Sequence, residues 1–122
     1  MNPAQLYGGV DLRGRVEAAS PHGLIQLLFD ELVGAMRQAE LCIRNKDMAR
    51  KGQRVSRALA ILASLESSLD HEKGGEIAAS LSAVYRQARS ELLAASRTDD
   101  PVRARGAADL IGEIAAAWRQ IQ

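Results

Sequence analysis

Apolar residues along this chain recur at intervals of three and four rather than at alternate positions. Leu28, Leu32, Ala35, Ala39, Cys42 and Ile43 make a first stripe, and Val55, Leu59, Leu62, Leu65 and Leu69 a second. Ile77, Leu81, Val84, Ala88, Leu92 and Ala95 make a third, and Ala104, Ala107, Ile111, Ile114 and Trp118 a fourth. A period near 3.6 marks one face of an amphipathic helix, so the pattern predicts four helices and no strands. Ser20-Pro21 is a start signal, because the Ser oxygen caps an orphan N–H and Pro at the first helical position loses nothing. Gly23 stands where a capping-box Glu would sit, so that reciprocal bond is missing. The first helix is expected to end near Arg44, before the turn Asn45-Lys46-Asp47, with Asp47 capping a second helix from about Met48 to Leu69. His71 to Gly75 reads as a turn, its two glycines free to take unusual backbone angles. A third helix is then expected from about Glu76 to Ser96, and a fourth from the Asp100-Pro101 start signal to about Gln120.

Connections this short make neighbouring helices antiparallel, and four single-stripe helices close into a bundle. The fold expected is therefore all-α, an antiparallel four-helix bundle over residues 20–122 preceded by an N-terminal arm over 1–19. The arm carries Pro3, Gly8, Gly9 and Gly14 among scattered apolar residues, of which Tyr7 and Val10 are the apolar anchors. At 122 residues the chain is one domain, able to bury roughly two thirds of its unfolded surface. With so few aromatics, the core has to be built from Leu, Ile, Val and Ala, which suits helices. Cys42 is the single cysteine, so no internal disulfide forms. The N-terminus lacks the apolar core of a secretory signal, and no apolar run approaches the roughly 18 residues that span a bilayer. A cytoplasmic protein with no membrane partner is the expectation.

The chemistry-bearing residues do not assemble into an enzyme. His71 and His22 invite comparison with histidine phosphotransfer bundles, but Lys73-Gly74 follows His71 one position too early and no Lys follows His22. A di-iron bundle needs Glu-x-x-His pairs, and Ala19 and Ser68 stand where the acids would be, so no metal is expected. No nucleophile elbow is present. An anion at the Gly-Gly turn would be repelled by Asp70, Glu72 and Glu76. The antiparallel arrangement gathers Arg44, Lys46, Arg50, Lys51, Arg54, Arg97, Arg103 and Arg105 at one end, partly neutralised by Asp47, Asp99 and Asp100. Arg50, Arg54 and Arg57 also share one face of the second helix. The net charge of +1 and the lack of interleaved aromatics argue against nucleic acid, leaving a solvated face or a docking site for an acidic partner.

Several apolar residues fall off their stripes: Leu27 and Leu41, Leu93, Leu110, and Ile61 at a stripe edge. Singly exposed leucines are common, but such residues also border grooves that receive another helix. A homodimer or a generic helical adaptor would use the same surface.

The stretch Leu65–Tyr85, LESSLDHEKGGEIAASLSAVY, resembles the signature of the FliS family of flagellar export chaperones. Tyr7 in the arm, Ala18-Ala19-Ser20-Pro21 before Leu24-Ile25 and Leu28-Phe29-Asp30, Arg57-Ala58 before Ile61, and Ala117-Trp118 fall in the family's order. The resemblance spans nearly the whole chain. It implies a chaperone that binds the C-terminal segment of flagellin, prevents premature polymerisation and presents it to the flagellar export gate, with no cofactor. It also implies that the arm covers part of the client surface and yields when flagellin binds. On that basis Tyr7 and Val10 in the arm, and Ile61, Leu65, Tyr85, Leu93 and Trp118 near the grooves, are the candidate client-binding residues, with Leu65 and Trp118 lying on inward stripes. Phe29 replaces the family's usual Tyr, Glu31 its Gly, and Val84-Tyr85-Arg86 its Leu-Tyr-Asp, departures that bear on the client more than on the fold.

Overall fold

The computed structural model describes residues 20–121. They form four helices, α1 (Pro21–Arg44), α2 (Met48–Ser67), α3 (His71–Thr98) and α4 (Pro101–Gln120), with no strand among the described residues. The expected caps are in place. Ser20 Oγ accepts the Gly23 N–H at 3.1 Å, Asp47 Oδ1 that of Arg50 at 3.3 Å, and Asp100 Oδ1 those of Val102 and Arg103 at 3.1 and 3.2 Å. Each bond satisfies one of the amides that a helix start leaves without an intrahelical partner.

Side-chain pairs fix the directions of the helices. Glu31 on α1 meets Arg57 on α2, and Glu66 on α2 meets Arg89 on α3. Glu91 on α3 meets Arg103 on α4, and Asp30, Arg37 and Glu40 on α1 meet Arg119, Asp109 and Arg105 on α4. Lys51 at the start of α2 meets Asp99 just past the end of α3. The α1–α4 pairs run in opposite order along the two helices, and the three-residue connection reverses α1 into α2. Neighbouring helices therefore run antiparallel around a closed ring. The centre holds Phe29, Leu32, Met36, Leu62, Leu92 and Ile111. Buried Ala39, Ala58, Ala88 and Ala108 between these larger side chains let the helix backbones approach closely.

Two expectations on α3 need correction. The Gly-Gly segment is not a turn before the helix. Asp70 Oδ1 caps it by accepting the Lys73 N–H at 2.9 Å, and the helix begins at His71. It then breaks at Gly75, whose φ of 50° and ψ of −123° lie outside the helical region. The inward stripe departs from expectation at its start. Ala88, Leu92 and Ala95 are buried and Leu81 and Val84 pack against the core as expected, but Ile77 is 73% exposed, and Ala78 and Tyr85 are buried in addition. A Cβ added at Gly74 would lie 2.9 Å from Ala78 Cβ, so the first turn approaches the helix body too closely for a side chain at position 74.

Candidate functional site

The start of α1, the end of α2, the start of α3 and the end of α4 meet at one end of the bundle. Between them lies an open groove of about 390 Å³. Its floor is Phe29, Leu65 and Tyr85, and its walls are Ile25, Leu69, Ala78, Leu81 and Trp118. Asp70, Lys73 and Ile77 stand at its mouth. The groove exists because α3 opens with small residues. Gly74 and Ala78 line the space beside Phe29 and Tyr85 and carry little bulk into it. Ser20, where residues 1–19 join the bundle, caps the helix that carries Ile25.

Aromatic contacts hold the floor rigid. The Trp118 indole N–H donates to the His22 carbonyl at 3.0 Å, tying the end of α4 to the first turn of α1. Its ring stacks on the His22 ring at 4.6 Å with 9° between planes, and meets Phe29 edge-on at 6.1 Å. Phe29 in turn lies 6.5 Å from Tyr85, tilted by 48°. Offset and edge-to-face arrangements of this kind each add about 0.5–1.5 kcal/mol to simple burial. Burial pushes the Tyr85 hydroxyl up to about 12, so the ring stays neutral across the physiological range.

The groove is lined mainly by apolar side chains. Its ionisable lining among the described residues is Asp70, Lys73 and Tyr85, and Asp70 is committed to its capping bond. No group of three or more His, Cys, Asp or Glu among the described residues is arranged to hold a metal ion. No helix among them is long and apolar enough to cross a membrane.

The structure brings together Leu65, Tyr85 and Trp118 of the candidate residues. Leu65 and Tyr85 are core side chains that also form the groove floor. Ile61 is buried in the core and does not line the groove. It looked like a stripe edge because α2 packs against both α1 and α3, which widens its buried arc to include Val55, Ala58, Ile61, Leu62 and Leu65. Leu93 is 38% exposed in the far half of α3, away from the groove. Tyr7 and Val10 lie outside the described residues. The sequence reading missed Ile25, Leu69, Ile77 and Leu81 as groove residues. The signal for them was available, because the antiparallel argument that gathers cations at one end also gathers these residues at the other.

Comparison with known proteins places these features in a family. The chain matches the family model described as flagellar protein FliS over residues 3–122. A flagellar secretion chaperone FliS from Salmonella typhimurium is 39% identical over 116 residues, covering 94% of this chain and 86% of that one. The flagellar secretion chaperone FliS of Vibrio cholerae is 32% identical, with 96% and 86% covered. The flagellar secretion chaperone FliSB of Pseudomonas aeruginosa is 29% identical, with 97% and 94% covered.

Proposed function

The chain belongs to the FliS family of flagellar proteins, and from that premise we propose that it is a cytoplasmic chaperone for flagellin. In this reading it binds the C-terminal segment of flagellin, keeps it from polymerising and delivers it to the export gate. The observation that carries the reading is the apolar groove at the bundle end. A client helix laid there covers Ile77 and Leu81 with its own apolar face, and the buried area offsets the entropy of ordering a flexible client. Chaperoning of this kind is a binding equilibrium and uses no catalytic group. Tyr7 is the candidate occupant of the groove in the empty protein, with Val10 beside it, because the arm is tethered at the groove's end of the bundle.

The test is calorimetric titration of the full chain with the C-terminal segment of flagellin from the same organism. Saturable one-to-one binding with a negative heat-capacity change is the expected result. Ile77→Glu changes an exposed residue, so the bundle should keep its stability while client affinity falls by about tenfold or more. Full affinity in folded Ile77→Glu would remove the groove from the site. No binding by the folded parent chain would sink the flagellin reading and favour a helical adaptor with another client.

A further inference from the structure

A second surface lies at the opposite end of the bundle, where the last turns of α1 flank the first half of α2. A shallow depression of about 260 Å³ is lined there by Leu41 and Cys42 from α1, by Asn45 and Asp47 from the connection and by Arg50 and Arg54 from α2. Leu41 is 56% exposed, an aliphatic side chain standing in solvent beside two guanidinium groups. Arg57 continues the cationic row one turn further along α2.

The charges of this face are poorly matched from within. Arg50 approaches Asp47 only to 3.7 Å, and Arg57 approaches Glu31 only to 3.8 Å. No ion pair among the described residues engages Arg54. Several cations elsewhere are held more tightly, Lys51 by Asp99 at 2.8 Å, Arg119 by Asp30 at 2.9 Å and Arg37 by Asp109 at 3.0 Å. The first turn of α2 holds no acidic residue, so the N-cap carboxylate of Asp47 alone offsets Arg50 at the positive end of the helix dipole. Two guanidinium groups thus face one carboxylate beside the exposed Leu41, an excess of positive charge that an external anion would relieve.

We propose that this face docks an acidic amphipathic helix of a second protein, with one apolar side chain seated on Leu41 and carboxylates aligned with Arg50, Arg54 and Arg57. The spacing of the three arginines matches carboxylates repeating every three or four residues on a facing helix. Nucleic acid fits less well, because the apolar centre gives a phosphate backbone nothing and the face offers no ring for a base to stack on. The groove lies at the other end of the molecule, so this docking is compatible with a loaded or an empty groove. It does not depend on the identity of the client.

The experiment is a ¹⁵N-resolved NMR titration of the full chain with a synthetic helical peptide of Glu and Leu in amphipathic repeat. A Lys-for-Glu peptide and an oligothymidylate of equal negative charge serve as comparisons. Saturable shifts clustered on residues 38–57, seen with the acidic peptide alone, are expected. The double variant Arg50→Glu, Arg54→Glu should weaken that binding by about tenfold or more, and Leu41→Ser by several-fold. Leu41 and Arg50 are exposed and Arg54 is half-buried, and binding of the flagellin segment should be unchanged. Shifts confined to the groove, equal binding of the oligothymidylate, or indifference to Leu41→Ser would each overturn the proposal. So would self-association of the protein through this face in place of peptide binding.

Discussion

Tyr85 shows at the scale of one residue how core and site share atoms here. Its ring is 2% exposed, packs toward Phe29 and still forms the groove floor. Burial raises its hydroxyl from 10.0 to about 12. The unfolded chain therefore loses this proton at lower pH than the folded chain. The linked stability is fully present below pH 10 and is lost as the pH climbs from 10 to 12. Two pKa units correspond to at most about 2–3 kcal/mol. Thermal melts of the parent chain and Tyr85→Phe between pH 8 and about 12 should diverge in slope above pH 10, with the Phe variant losing less. Parallel curves would show that the hydroxyl is solvated in the folded state. The sequence placed Val84 inward and Tyr85 near a groove; Val84 packs against the core, and Tyr85 lines the groove while being more deeply buried than its neighbour. Adjacent helical positions differ by only about 100°, so both can face inward in part, and periodicity alone does not rank them.

At the scale of the element, start signals were the most legible part of the chain. Ser20, Asp47 and Asp100 cap as their residue types foretell, Ser20 and Asp100 with a proline directly after them. Asp70 was missed as a cap because the Gly-Gly pair after it looked like loop punctuation, whereas a capped turn precedes the break. Gly75 is where the break depends on residue type. With φ at 50° and ψ at −123° it holds a conformation that costs an L-residue about 1–3 kcal/mol, and an added Cβ would meet nothing within 4 Å. Gly75→Ala should therefore lower Tm by several degrees through backbone strain alone. Gly52→Ala in α2 is the matched control. Its added Cβ also meets nothing within 4 Å, but its backbone is helical, so it should raise stability by up to about 1 kcal/mol. If both substitutions stabilise, the α3 break is not a fixed feature of the fold.

For the whole molecule, antiparallel topology turns a chain with sparse chemistry into one with two distinct ends. The bundle followed from stripe periodicity and short connections, and the groove followed only from which helix ends carry small residues. Trp118 gives a direct view of the groove end, because it is the only tryptophan in the chain and forms a groove wall. Docking of an apolar client there should exclude water from the indole and move its emission to shorter wavelength, with the same midpoint as the calorimetric titration. The arm can be tested in the same signal. If Tyr7 covers the groove, deletion of residues 1–19 should shift the empty protein's emission to longer wavelength. It should also tighten client binding by the factor with which the arm had occupied the site. An unchanged spectrum together with unchanged affinity would show that the arm leaves the groove open, and that the client meets the same apolar surface whether or not the arm is present.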